Sequence, residues 1–317
     1  MSDGHGEPVR VGVVGLGVMG RTHLRVLRSL PGAEVVAVAD VQPGALVGAG
    51  PATTYDDPLA LVHGADVDAV LVASSDASHA GLVLACVERG LPVLCEKPLT
   101  TSVEDTLAVV AAESATGRRL VQVGFMRRFD PAFAAVHEAV HSGAVGAPAV
   151  VHTVHRNPVS SYAFTPSVLV GNSASHDVDL VRWITGEEIA TVDCTLAPAP
   201  DAGFASVLLR LTTTGGVLAS TELTYGPGCR YDVGCEVVGR AGSVGTPRAQ
   251  VGATDGDWVH RFDEAYRRQD AAWVASVRGA PVGAGSLDGL ANALVLAAAA
   301  RSLATGAPVT LAPPPRP

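Results

Sequence analysis

One lysine stands in a chain that carries 21 arginines, and it sits in Cys95-Glu96-Lys97-Pro98, directly after an apolar, strand-like run. A guanidinium stays charged at any workable pH, whereas a lysine amine can be desolvated, shift its pKa and take part in proton movement. Lys97 is therefore the first catalytic candidate, set against the plainer reading of a lysine on a solvated surface turn.

The second chemical signal is Gly15-Leu16-Gly17-Val18-Met19-Gly20. In this pattern the first glycine makes a tight turn, the second lets backbone approach a pyrophosphate, and the third lets helix pack closely on strand. The helix that follows offers N–H groups and the positive end of its dipole. Alone the pattern is weak, but here a β-branched run, Val9 to Val14, precedes it, an amphipathic segment to Leu30 follows, and Asp40 stands about twenty residues on. Asp40 can accept hydrogen bonds from ribose hydroxyls and repels a 2′-phosphate, which favours NAD over NADP. Val41 and Gln42 place no arginine beside it, although Arg21 at the helix start is a possible phosphate partner.

Alternation around these motifs predicts a parallel sheet wrapped by helices. Strand-like runs at Glu34–Ala39, Ala69–Ala73, Pro92–Cys95 and Leu120–Val123 are interleaved with helix-like His79–Arg89 and Ser102–Ala115. After Gly124 the rhythm changes. Helices are expected at Pro131–Ser142 and Ser173–Ile184, and strands at Ala149–Arg156, Thr191–Leu196, Phe204–Leu211, Gly216–Leu223 and Tyr231–Val238. Two closing helices, Asp263–Arg278 and Ser286–Thr305, follow. The expected organisation is α/β throughout: a Rossmann dinucleotide-binding domain over 1–123, then an α/β domain over 124–317 with a mostly antiparallel sheet.

Composition narrows the partners. A net charge of −9 with scattered arginines argues against nucleic acid, and the aliphatic Leu287–Leu303 stretch is broken by Asp288, Asn292 and Arg301, as a packed helix would be. The acidic, polar N-terminus lacks the regions of a signal peptide, so the expected location is cytoplasmic. Five cysteines with no Cys-x-x-Cys pair predict neither disulfides nor zinc. His137 and His141, at i and i+4, lack a third ligand, so no metal site is expected. His23 and His63 read as packing or surface histidines.

The chain resembles the glucose–fructose oxidoreductase/inositol dehydrogenase/rhizopine catabolism family, and within it the myo-inositol 2-dehydrogenase branch. Glu96-Lys97-Pro98 is a superfamily-wide motif. Gly124-Phe125-Met126-Arg127-Arg128-Phe129-Asp130-Pro131, His155-Arg156-Asn157-Pro158, His176-Asp177-Val178-Asp179, Tyr231-Asp232 and Glu264-Ala265-Tyr266 carry the closer likeness. The resemblance implies that the second domain's sheet is large and open, and it implies NAD-dependent interconversion of a secondary alcohol and a ketone on a polyhydroxylated ring, by a homo-oligomer, commonly a tetramer through the open sheet face. It implies that Lys97 and His176 line the reacting alcohol, and that Arg127, His155, Asn157 and Tyr231 hold ring hydroxyls. Cofactor contacts are expected from Gly15, Gly17, Val18, Met19, Gly20, Asp40, Ser74, His79, Glu96 and Lys97. In Ser74-Ser75-Asp76-Ala77-Ser78-His79 only the histidine matches the family's Thr-Pro-Asn-x-x-His.

One departure bears on mechanism. The family pattern has aspartate four residues before the histidine, and this chain has Asn172. A neutral histidine can accept the alcohol proton near pH 7, and a carboxylate partner would stabilise the imidazolium, whereas an amide can only orient it. In a serine-protease triad the corresponding Asp to Asn change costs about 10⁴ in turnover, an upper bound here. Three readings stay open: an inositol dehydrogenase that tolerates the amide, a relative acting on another keto- or aminocyclitol or sugar, with reduction as one direction for it, or a nucleotide-binding sensor or subunit with weakened turnover. Asp177 and Asp179 flank His176 and read more simply as helix-start charges and salt bridges.

Overall fold

The computed structural model describes residues 7–158, 169–198, 204–247 and 258–312. They form two compact units, Met1–Met126 with Glu264–Leu290, and Arg127–Asp263 with Ala291–Pro317. The single boundary expected at 123/124 thus becomes one at 126/127, and the chain returns to the first unit for Glu264–Leu290. The physical reason is Trp273 and Val274, which are buried in the first unit's core alongside Leu27 and Leu94.

In the first unit β1 (Val9–Val14), β2 (Ala33–Ala39), β3 (Thr53–Tyr55), β4 (Ala69–Val72), β5 (Val93–Glu96) and β6 (Val121–Gly124) pair all-parallel in the order β3-β2-β1-β4-β5-β6. Their inner members are apolar on both faces because both faces are covered, as parallel sheets require. The intervening helices are α1 (Val18–Ser29), α2 (Pro58–Gly64), α3 (His79–Glu88) and α4 (Val103–Ala115). Ser102 starts α4 by accepting from the Asp105 amide, and Asp57 starts α2 by accepting from the Leu59 amide. β3 and α2 go beyond the sequence reading, since three residues and seven leave almost no periodicity to detect.

The second unit contains α5 (Pro131–His141), β7 (Pro148–Asn157), α6 (Ala174–Thr185), β8 (Ile189–Leu196), β9 (Ala205–Thr213), β10 (Leu218–Tyr225), β11 (Asp232–Gly239), β12 (Gly242–Gly245) and β13 (Val309–Thr310). Its sheet runs β12-β11-β7-β10-β9-β8-β13 and is antiparallel except where β10 lies parallel to β7. Helices α5 and α6 pack on one face of β7, β10 and β11. On the other, Leu218, Val150 and Val238 sit side by side across β10, β7 and β11, with Leu218 55 % and Val238 38 % exposed.

Two helices close the chain, α7 (Trp258–Ser276) and α8 (Ser286–Thr305). By length and composition alone α8 could cross a membrane, but half of its apolar window is buried, its Ser302 hydroxyl takes the Cys194 amide, and Asn292 bonds Ser175 on α6. Those contacts make it a core helix.

The seam between α4 and β6 depends on one buried carboxylate. Glu113 accepts the Leu120 amide at 2.7 Å, the Val121 amide at 2.6 Å and the Ser286 hydroxyl. Glu113→Ala leaves buried donors with no partner, and urea unfolding should show a loss on the order of 3 kcal/mol. A loss within experimental error of zero would mean that water replaces the carboxylate.

Candidate active site

In the first unit the predicted residues gather at the C-terminal ends of the strands, where open parallel sheets bind ligands. Gly15 follows β1 at φ +86°, and a side chain there would sit 2.5 Å from Ser74 backbone, so the turn and the segment after β4 touch directly. A Cβ on Gly20 would lie 1.8 Å from the Gly15 carbonyl oxygen, so only glycine lets α1 start this close to β1. Gly17 is different. Its φ of −68° suits any residue, and a Cβ there would meet nothing within 4 Å. Packing therefore does not require glycine at 17, whereas close approach of a phosphate does.

Asp40 follows β2 and is aimed by two amides: Leu16 N–H donates to Oδ2 at 2.7 Å, and Gln42 N–H donates to Oδ1 at 2.8 Å. The carboxylate is thereby fixed beside the glycine turn with acceptor capacity left for a ribose diol. Val18 is exposed and Met19 half-buried at the start of α1. Arg21 donates to the Ala45 carbonyl at 2.9 Å. These residues fit NAD.

Ser74 shares a 2.7 Å hydrogen bond with Ser78, and His79, 1 % exposed, meets the Pro98 carbonyl at 2.8 Å and the Ser74 carbonyl at 3.3 Å. His79 ties the loop after β4 to the segment holding Lys97, with both ring nitrogens facing backbone. Glu96 ends β5, buried, and its Oε2 accepts the Lys97 amide at 3.2 Å. Lys97 is half-buried.

Behind Glu96 lies a group that sequence reasoning passed over. His23, fully buried on α1, meets Glu96 Oε1 through Nε2 at 3.0 Å and both Asp270 oxygens through Nδ1 at 3.0 and 2.9 Å. Burial alone would lower the imidazole pKa, but Asp270 and then Glu96 overcome it and raise it to about 10. The pairing therefore supports the fold fully below about pH 6.5, and the contribution is lost as pH rises toward about 10. No local signal marks His23, because its partners are 73 and 247 residues away.

The second unit brings Arg127, His155, Asn157 and Tyr231 together around Asp177 and Tyr225. Arg127, on the turn Met126–Phe129 and 3 % exposed, donates to Asp177 Oδ1 at 2.8 Å. His155 Nδ1 lies 3.1 Å from Asp177 Oδ2 and 3.2 Å from the Arg127 guanidinium. Nδ1 can serve only one of them, and the ionised carboxylate is the stronger partner. Nε2 is then left as an acceptor facing the Tyr225 hydroxyl at 3.5 Å. Burial would raise the Asp177 carboxyl, yet Arg127 and His155 hold it below the usual range. Asp177 and Asp179 are thus ion-pair carboxylates, Asp179 taking Arg128 at 2.9 and 2.6 Å. Arg127 and His155 are committed to Asp177, so their grip on a ring is through remaining donors only.

Tyr225 ends β10 opposite Asn157 on β7, and its hydroxyl bonds Ser173 at 2.9 Å and the Asn157 side chain. Finding it from sequence would have required the parallel β7/β10 register. Burial pushes the Tyr231 phenol upward, against Arg127 and Arg261. Asn172 is half-buried in a single π-helical turn, Leu169–Ser173, which leads into α6, and the mostly buried His176 lies in the first turn of that helix. The expected helix start is therefore a π turn, a device common at functional sites. His137 and His141 stack on each other at 3.9 Å, and His137 stacks on Trp183 at 4.1 Å. The Pro- and Ser-rich stretch after β7, with Ser161 and Tyr162, lies outside the described residues.

Comparison with known proteins agrees with this geometry. Residues 9–125 match the oxidoreductase family with NAD-binding Rossmann fold, and 133–245 match the GFO/IDH/MocA C-terminal domain. The chain is 42 % identical to inositol 2-dehydrogenase 1 of Saccharopolyspora erythraea over 95 % of its own length and 96 % of that protein. It is also 42 % identical to the inositol 2-dehydrogenase of Rubrobacter xylanophilus, over 98 % and 96 %. The crystal structure of Lactobacillus casei myo-inositol dehydrogenase in complex with NAD(H) and myo-inositol superposes with a TM-score of 0.92 at 30 % identity, covering 98 % of each chain. Fold and site residues define an NAD-dependent oxidoreductase acting on CH–OH groups. Within that class, the chain belongs to the GFO/IDH/MocA family.

The open space over Gly17 gives a direct test. Gly17→Ala should melt within a degree or two of the parent, because the backbone accepts alanine, and bind NADH on the order of tenfold more weakly by fluorescence titration. Unchanged affinity would remove the phosphate from this turn.

Proposed function

We propose that this chain is a cyclitol dehydrogenase that oxidises a secondary ring alcohol with NAD⁺, with myo-inositol as its leading substrate. The observation that carries the reading is the second unit's cluster of Arg127, His155, Asn157, Tyr225, Tyr231 and Ser173. It gathers imidazole, amide, hydroxyl and guanidinium groups of the kind that hold the hydroxyls of a ring. The inositol dehydrogenases among its relatives support the same substrate class.

Bound NAD⁺ supplies the hydride acceptor. Asp40 would hold its ribose, and the Gly15–Gly20 turn its pyrophosphate. Lys97 and His176 carry the proton: neutral His176 takes it from the alcohol, and the Lys97 ammonium stabilises the alkoxide as hydride leaves. Asn172 orients a hydroxyl or the imidazole without neutralising it. That amide also favours a second reading, a different keto- or aminocyclitol or sugar whose ring lacks the group an aspartate would bind. The apolar row Leu218, Val150 and Val238 on the uncovered sheet face suits a homo-oligomer, which we take as a dimer or tetramer. We place the protein in the cytoplasm as a soluble enzyme.

NADH formation from NAD⁺ and excess myo-inositol at alkaline pH tests the reading, with scyllo-inositol, aminocyclitols and glucose in parallel. Turnover with none of them, NADH binding being intact, would overturn it. Lys97→Ala should reduce kcat by about 10³ or more while NADH affinity stays within about threefold. Wild-type turnover in that variant would remove Lys97 from the mechanism. Asn172→Asp should raise kcat for myo-inositol on the order of tenfold, since it restores a charge that stabilises the imidazolium. A fall would show that the pocket is shaped for the amide.

A further inference from the structure

The buried Asp270, His23 and Glu96 side chains form a continuous chain that ends on the backbone of Lys97. Asp270 on α7 holds Nδ1 of His23, Nε2 of His23 holds Glu96 Oε1, and Glu96 Oε2 accepts the Lys97 amide. Both ring nitrogens face carboxylate oxygens, so satisfying both contacts requires two N–H donors, that is, an imidazolium. The groups that face the ring are Glu96 from β5 and Asp270 and Tyr266 from α7, with the Tyr266 ring edge-on at 5.5 Å and Gln269 donating to Asp270 at 3.5 Å. Room for this arrangement is built in. A Cβ on Gly124 would stand 3.0 Å from Glu96 Oε1 and 3.1 Å from the Glu96 Cα.

We propose that His23, locked between Asp270 and Glu96, is a positioning residue for Lys97: it holds the Glu96 carboxylate directed at the Lys97 amide, and so fixes where the catalytic ammonium stands relative to the glycine turn. His23 lies on α1 three residues beyond Gly20, so the helix that begins at the dinucleotide turn also braces the strand end that bears the lysine. The array carries two carboxylates against one imidazolium, a net negative charge behind Lys97. The inference rests on Lys97 acting as proposed above.

Because Lys97 is the chain's only lysine, its side chain can be observed alone. Reductive methylation with ¹³C-formaldehyde gives one lysine dimethylamine signal beside that of the N-terminus, and its pH titration by NMR reads the charge behind it without any turnover. Two variants change that charge in opposite senses. His23→Gln removes a positive charge and should move the Lys97 midpoint up, whereas Asp270→Asn, isosteric with the native residue, removes a negative one and should move it down, each by about half a unit. On unmodified protein, kcat should fall at least about twentyfold in His23→Gln and less in Asp270→Asn, with NADH affinity and polyol KM within about threefold. Midpoints that stay within about a tenth of a unit in both variants would overturn the proposal, as would equal shifts of one sign. If His23→Gln fails to fold, Asp270→Asn decides alone by the sign of its shift. Absence of wild-type turnover, by contrast, would count against the cyclitol reading and leave the titration to judge the array.

Discussion

A carboxylate taken out of water must be given partners, and in each unit that requirement fixes the residues of the site. Glu96 and Asp270 are buried in the first unit and share His23; Asp177 is buried in the second and is shared by Arg127 and His155. The cost of leaving any of these charges alone is several kcal/mol, comparable with a large part of a domain's whole stability. Such groups cannot drift. The first network reaches the Lys97 backbone amide through Glu96, and the second includes His155 through Asp177.

The two networks differ in what surrounds them. In the first unit backbone amides beyond the strand ends converge on carboxylates, those of Leu16 and Gln42 on Asp40 and that of Lys97 on Glu96. In the second, side chains come from β7, β10, the loop before β11, the turn at Arg127, the π turn and α6, and side-chain hydrogen bonds join those that the β7/β10 ladder does not. A rigid main-chain frame suits a cofactor whose phosphates and ribose never vary. A side-chain frame can be altered one residue at a time, which suits the part that chooses a ring.

Legibility in the sequence follows the same division. The glycine turn, Asp40 and the alternation of strands and helices could be read because each is local, its spacing imposed by one turn or one helix. The strands of the second sheet were legible from their period of two, whereas its open face came only from the family resemblance and the parallel β7/β10 pair went unread. His23, Asp270 and Tyr225 were not, for each acquires its role from a partner between 52 and 247 residues away. Nor could the sequence show that Trp273 returns to the first core, since a buried tryptophan on an amphipathic helix reads the same whichever sheet it covers. The resemblance marked Arg127 as a ring-binding candidate, but nothing local showed that its guanidinium is engaged by Asp177, 50 residues away.

Asn172 is where chemistry rather than folding has been changed, and thermodynamics limits what the change can do. A side chain alters the barrier for oxidising the alcohol and the barrier for reducing the ketone by the same factor, because their ratio is fixed by the reaction's equilibrium and by pH. On the proposed mechanism, an amide where a carboxylate would stand makes the His176 imidazolium harder to form, which slows proton removal in one direction. It equally depletes the proton donor needed in the other. An amide at 172 cannot by itself turn an oxidising enzyme into a reducing one. What it can do is donate hydrogen bonds where a carboxylate only accepts them, so the ring position facing it is free to carry an acceptor such as a carbonyl oxygen or an unprotonated amine. On the proposed mechanism, residue 172 would control selection of the ring and not of the direction.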